Sequence, residues 1–131
     1  MPYHHIQISG LADAALAARV GQMATQLTAR LLGKDPLLTA VVVDFVPLSQ
    51  WFIAGKALSQ SEPRSYHWLV SITDETNTKQ EKAAYLAAVH QNMAELLDGV
   101  AEHSYVHIAD LRAAAYGFGG QTQEHRHRHS A

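Results

Sequence analysis

The order strand, helix, strand, short glycine-bearing hairpin occurs twice in this chain, and the duplication limits the fold more than any other feature. In the first copy, residues 3 to 9 place His4, Ile6 and Ile8 on one face of a strand and Tyr3, His5 and Gln7 on the other. From Ala12 to Leu32, the apolar residues Leu16, Val20, Met23, Leu27 and Leu31 recur at helical spacing, which predicts an amphipathic helix. Gly33 stops that helix and Pro36 prevents its continuation. Thr39 to Val46 is rich in β-branched residues and reads as a buried strand closed by Pro47, with Trp51 to Gly55 as a hairpin. The second copy begins with a strand over Ser65 to Ile72. Thr78 and Glu81 have the spacing of a capping box, and the helix that follows carries the stripe Leu86, Val89, Met93, Leu96 and Val100. Tyr105 to Leu111 is its second strand, and Tyr116 to Gly120 its hairpin. Laid on one another, the copies set Tyr3-His4 beside Tyr66-His67, so that Ser65 falls opposite Pro2.

A helix joining two strands requires the strands of each unit to run parallel. The prediction is an α+β, two-layer fold: a tandem β-α-β repeat with a four-stranded mixed sheet, two helices on one face and short β hairpins. One domain spans residues 1–121, built from units 2–56 and 64–121, with a histidine-rich tail at 122–131. The second face of such a sheet is left uncovered. Carrying Ile6, Ile8, Trp68 and Val70, the sheet has to bury that face, most economically against copies of itself. The alternative architecture is a ferredoxin-like αβ-barrel, with antiparallel strand pairs and a dimeric assembly.

Composition narrows the function classes. A chain of 131 residues with 47% hydrophobic content suffices for one core. A formal charge of −2 provides no basic stripe for nucleic acid, and the longest basic cluster, Arg126-His127-Arg128, is terminal. The absence of cysteine removes thiol nucleophiles and Cys-based zinc sites and fits a reducing compartment. With no targeting segment and no apolar run approaching the ~20 residues of a membrane span, the chain reads as cytoplasmic. His125, His127 and His129 alternate as in a flexible arm that binds metal adventitiously; neither a functional metal nor a cofactor is expected.

Pro2 stands at the start of the first strand. Removal of Met1 makes it a secondary-amine terminus. A solvated α-amino group titrates near ~7.7–8.0; burial or a nearby cation lowers that value, leaving a neutral base matched to the working pH.

Pro2, Gly33-Lys34 with Pro36 before the second strand, the pattern Val106-x-Ile108-x-Asp110 and the glycine-rich hairpin at 116 to 120 together resemble the tautomerase superfamily. Its members are built from one or two strand–helix–strand units and use an amino-terminal proline. The resemblance covers all but the last ten residues. It implies a homotrimer with sites between subunits, a small carboxylic-acid substrate and no cofactor. By resemblance to the macrophage migration inhibitory factor group, Lys34 binds the substrate's anionic end; a solvated lysine after a helix is the competing reading. Tyr105 matches that group's site tyrosine. His107 stands where that group has asparagine and the dehalogenase-like members have tyrosine. The competing role for both is an interface contact. Ile72 matches an apolar wall position, and Tyr116 belongs to the hairpin that completes the site. The arginines of the group resembling 4-oxalocrotonate tautomerase are replaced by Ala12 and Ala40, and Thr73-Asp74-Glu75 stands where dehalogenase-like and decarboxylase members carry arginines. Arg64, next to Ser65, is expected at the opposite pseudo-site; Arg30 and Arg112 have no assigned place.

The function these residues imply is keto-enol proton transfer on a small 2-oxo or enolic acid by a tautomerase/isomerase, with Pro2 as general base. Alternatives are a hydratase, dehalogenase or decarboxylase variant of the proline chemistry, and a non-catalytic oligomeric binding protein on the same scaffold.

Overall fold

A computed structural model describes residues 2–128. Strand β1 (Tyr3–Ser9) is followed by helix α1 (Ala14–Leu32), strand β2 (Ala40–Val46) and a hairpin of β3 (Phe52–Ile53) and β4 (Lys56–Ala57). The order then repeats with β5 (Tyr66–Thr73), α2 (Lys79–Leu96), β6 (Tyr105–Leu111) and a hairpin of β7 (Gly117–Phe118) and β8 (Gln121–Thr122), closed by the short helix α3 (Gln123–Arg128). The four long strands form one sheet in the order β2-β1-β5-β6. Within each unit the strands are parallel, and the two units join antiparallel through β1 and β5. These parallel pairs exclude the ferredoxin-like arrangement.

Local chemistry sets the helix ends. Asp13 Oδ1 accepts from Leu16 N–H (3.0 Å) at the start of α1, and Gly33 takes the left-handed conformation (φ 70°) at its end. The Thr78/Glu81 capping box forms at the start of α2. The buried stripes differ slightly from those the spacing suggests. On α1, Ala24, Thr28 and Leu32 are buried alongside Leu16, Val20 and Leu27, while Met23 and Leu31 sit at the edge of the core. On α2 it is Tyr85, not Leu86, that turns inward, and Leu86 is exposed.

Tyr85 turns inward because its hydroxyl has a buried partner. Trp68 Nε1–H donates to Tyr85 OH (3.1 Å), which lies 2.9 Å from Thr28 Oγ1. Thr28 Oγ1 is 2.9 Å from His4 Nε2, and His4 Nδ1 is 3.1 Å from the Ala40 carbonyl. A carbonyl only accepts, so His4 carries its proton on Nδ1 and Nε2 accepts from the threonine; Tyr85 then donates to Thr28. Every donor in the chain of bonds is used once. The network ties β5, both helices, β1 and β2 together, and burial holds His4 down to about 4, against a weaker opposing effect of its bond to Ala40.

The face of the sheet under the helices carries Ile6, Ile8, Trp68 and Val70, all fully buried within the single chain. This corrects the expectation that they need a second copy to cover them. The open face carries Tyr3, His5, Gln7, Val42, His67, Tyr105 and His107, a polar and aromatic surface of which Tyr3, Val42 and Tyr105 are the exposed large hydrophobic residues. Strand parity also shifts the repeat alignment by one. His4 and Tyr66 both face the core, and Ala101 N–H donates to Arg64 O (2.8 Å) as Ala40 N–H donates to Pro2 O (3.1 Å). Arg64, not Ser65, is therefore the structural mate of Pro2, because an odd slip would turn every side chain to the wrong face.

The tail also departs from expectation. Gln123–Arg128 is helical and folds back on the β7–β8 hairpin instead of forming a loose arm; His129 lies outside the described residues. No helix among the described residues is long and apolar enough to cross a membrane.

The buried His4 makes stability depend on pH. Its unfolded value is near ~6.5 and its folded value is about 4, so below the first the unfolded chain binds a proton that the folded chain refuses. Stability is full above the unfolded value and falls by about 3 kcal/mol as the pH drops through this window to the folded one. Denaturant titrations across that range are expected to show the loss, and His4→Gln is expected to flatten it; an unchanged slope in the variant contradicts a neutral buried His4.

Candidate active site

Pro2 is buried at the edge of the sheet, one residue before the first registered pairs, Tyr3 with Ala40 and Tyr3 with Ser71. Ile72, next after Ser71 on β5, therefore flanks it and is itself fully buried beneath the helices. In front of Pro2 lies a cavity of about 440 Å³ lined by Tyr3, Leu37, Leu38, Thr39, Ala40, Tyr116, Gly117 and Phe118.

Two local devices build its walls. Asp35 caps a single 3-10 turn over Pro36–Leu38 by accepting from Leu37 N–H (2.9 Å), while Thr39 Oγ1 donates to Asp35 O (2.9 Å); the turn presents Leu37 and Leu38 to the cavity. The opposite wall is the β7–β8 hairpin. Gly117 is required there because a Cβ would collide with the Gln121 carbonyl and the Thr122 backbone. Tyr116 OH is hydrogen-bonded to Thr73 Oγ1 at the end of β5, which fixes the hairpin over the proline.

Lys34 lies just outside this lining. Its Nζ donates to Thr76 Oγ1 (2.8 Å), which in turn donates to Thr73 O (2.6 Å), so lysine and tyrosine are linked through one turn of backbone. Partial burial lowers the Lys34 pKa from its ordinary value, while Glu81 and Asp110 act to raise it. Asp110 is itself held by Lys82 Nζ at 2.7 Å.

Tyr105 and His107 are not part of this cluster within one chain. Tyr105 pairs with His67 and His67 with Gln7, five residues along β1 from Pro2, a separation of ~17 Å at strand rise. Both belong to the open sheet face, where His67 Nε2 lies 2.9 Å from His107 Nδ1 and the two rings are edge to face. Desolvation lowers the His67 pKa, with His107 and His5 adding to the effect. Tyr105 lines a smaller cavity with Trp51 and Phe52 of the first unit and His103 of the second.

A larger cavity, about 880 Å³, lies at the opposite end of the sheet and includes Gly10, Asp13, Glu62 and Arg64. Its charged groups are committed: Arg64 donates from Nε (3.0 Å) and Nη2 (2.8 Å) to Ser9 O, and Asp13 caps α1. The pseudo-site is thus a strut between the units. Arg30 and Arg112 do not line the Pro2 cavity. Sequence reasoning missed Leu38, Thr73 and Phe118. The Asp35-Pro36 cap was the available signal for the first and the 116–120 hairpin for the last, while nothing local marks Thr73 as the partner of Tyr116. Among the described residues, no group of three or more His, Asp or Glu side chains has metal-binding geometry.

Neither a protein-family model nor a curated protein sequence matches this chain. Solved structures do. The fold is that of the fused 4-OT structures, over nearly the whole of both chains. Native fused 4-OT superposes with a TM-score of 0.81 at 22% identity, over 94% of this chain and 97% of that one. The F6 fused 4-OT asymmetric trimer does so with 0.79 at 20% identity, over 94% and 97%. Pt0534 inactivated by 2-oxo-3-pentynoate does so with 0.81 at 17% identity, over 94% and 98%.

Because the Tyr116 hydroxyl is bonded to Thr73, Tyr116→Phe is expected to cost about 1 kcal/mol in denaturant unfolding and to leave the hairpin less firmly closed. No loss of stability would mean the bond is replaced by water at no cost.

Proposed function

We propose that this protein belongs to the tautomerase superfamily and acts as a cofactor-independent tautomerase/isomerase on a small 2-oxo or enolic acid. The observation that carries the reading is Pro2 buried just before β1, facing a cavity with two leucines, a phenylalanine and two tyrosines. Loss of Met1, which lies outside the described residues, frees the ring nitrogen. In so apolar a pocket the amine is neutral at cellular pH and takes a proton α to a carbonyl, or from an enol, and returns it elsewhere on the same molecule. Lys34, linked to the pocket through Thr76 and Thr73, attracts the acid group. Tyr116 donates toward the developing enolate oxygen, a charge that appears only along the reaction.

The protein works as a homotrimer in the cytoplasm, as the F6 fused 4-OT is a trimer. Tyr105 and His107, remote from Pro2 in their own chain, approach the proline of a neighbouring copy. The same amine also serves a hydratase, dehalogenase or decarboxylase variant of the chemistry. A binding protein without catalysis is the second reading, favoured by the alanines at 12 and 40.

An inactivator separates these readings. 2-Oxo-3-pentynoate, which inactivates Pt0534, is an electrophile that a neutral amine attacks. Intact-mass and peptide analysis is expected to find a chain starting at Pro2 with the adduct on its nitrogen. A chain that retains Met1, or an unlabelled proline, removes the enzymatic reading. Pro2→Ala is expected to lower turnover of phenylpyruvate-like enols by at least ~10²-fold.

Shared sites make a separate prediction. Mixing Pro2→Ala subunits with Tyr105→Phe/His107→Gln subunits is expected to restore activity that neither variant has alone. If refolded mixtures stay inactive, those two residues do not act across a subunit boundary.

A further inference from the structure

On the open face of the sheet, two imidazoles stand nitrogen to nitrogen. His67 Nε2 lies 2.9 Å from His107 Nδ1, and the ring centroids are 5.0 Å apart with the planes at 76°. Sheet register brings them together. His67 pairs with Tyr105 and Leu69 with His107, so the two histidines sit diagonally on neighbouring parallel strands with their side chains on one face. The backbone ladder between β5 and β6 therefore fixes how far apart the two rings are anchored.

The protons of the pair follow from its neighbours. His67 Nδ1 is 3.3 Å from Gln7 Oε1, an amide oxygen that only accepts, so the His67 proton is on Nδ1 and Nε2 presents a lone pair. His107 Nδ1 donates to that lone pair. Gln7 thus holds one ring in the tautomer a metal requires, which is the part played by the outer hydrogen-bond partners of metal-ligating histidines. His107 is exposed, and exchange of its proton from Nδ1 to Nε2 through water gives two neutral nitrogens with lone pairs on neighbouring strands.

The distance selects the ion. Two nitrogens each ~2.0–2.1 Å from a metal are ~2.9 Å apart at a right angle and ~3.3–3.4 Å apart at the tetrahedral angle. The observed 2.9 Å matches the right-angled edge, the geometry copper(II) prefers and structural zinc does not. In the hydrogen-bonded pair both lone-pair axes lie along the line between the nitrogens; a swing of about 45° in each ring turns them onto one ion while the strands stay in place. The contact displaced is one neutral hydrogen bond at the surface, a weak competitor. The surroundings do not repel a cation either. None of the four long strands contains a lysine or arginine, and the outward-facing charged group nearby is Asp44, bonded to His5 Nε2 at 3.2 Å. Among the described residues no third His, Asp or Glu converges on the pair, so an ion held there keeps open positions for water or another ligand.

We propose that His67 and His107 form a two-imidazole chelate for copper(II) on the open face of the sheet, with Gln7 as its positioning residue. The inference does not depend on the reading of Pro2.

Copper(II) is titrated into the full chain with His125, His127 and His129 replaced by glutamine, which removes the tail as a competing ligand. Calorimetry is expected to find one ion per chain, and electron paramagnetic resonance to show two imidazole nitrogens on it. His67→Gln and His107→Gln are each expected to weaken binding at least ~10-fold and to leave one imidazole, whereas Gln7→Leu weakens it by about tenfold and keeps both. His5→Gln, on the same face, is expected to change neither readout. Thermal unfolding without metal checks that each variant is folded; His107 is exposed, so His107→Gln carries the test even where the half-buried His67→Gln does not fold. Copper bound by the tail only, so that uptake vanishes in the starting variant, overturns the site. Uptake that survives His107→Gln with both imidazole signals intact overturns it as well.

Discussion

A single ordered chain of hydrogen bonds holds the Pro2 end of this molecule in place. It begins at the Trp68 indole and passes through Tyr85, Thr28 and His4 to the Ala40 carbonyl. The amide of the same residue, Ala40, then donates to the carbonyl of Pro2. Donors and acceptors alternate without a gap, which is the condition under which a buried polar network stabilises a fold instead of burdening it. His4 lies two residues from Pro2 on the same face of β1, so its position and the proline's are set together. Its neutrality is part of the arrangement, because a charged ring would have no anion beside it in this core.

Around that anchor the duplicated units have diverged in what their equivalent ends carry. At one end stand Pro2, Tyr116, Thr73 and the Lys34–Thr76 contact; at the other, Arg64 is spent on the Ser9 carbonyl. The same scaffold thus yields one end with an apolar pocket and proton-bearing groups and another that serves as a joint between repeats. The hairpin shows the same division. β7–β8 is extended by α3, whose Arg126 stacks on Phe118, whereas β3–β4 is followed by an irregular connection.

The open sheet face has its own logic. With Ile6, Ile8, Trp68 and Val70 already enclosed by the helices, what remains outward mixes histidines and tyrosines with Val42, Leu69 and Leu111. Hydrogen bonds such as His67–His107 and His5–Asp44 organise its polar part within the single chain.

The repeat, the parallel pairing, the helix signals at Gly33 and Thr78, and the hairpins could all be read from residue spacing, whereas the Asp13 cap lay inside the helix that spacing predicted. Each depends on contacts between residues near in sequence or on the two periodicities of regular structure. The resemblance carried by Pro2, Gly33-Lys34 and the 116–120 hairpin pointed to the right fold. What spacing did not disclose has a common cause: it depends on partners far apart in the chain. Tyr85 displaces Leu86 because Trp68, Thr28 and His4 meet its hydroxyl. Arg64 replaces Ser65 as the mate of Pro2 because strand parity admits only even shifts. Tyr105 and His107 share a strand with Asp110, yet only sheet register reveals how far they lie from Pro2 along the chain's own strands. The tail's descent onto Phe118 follows from a cation meeting an aromatic ring, an encounter that only tertiary structure brings about.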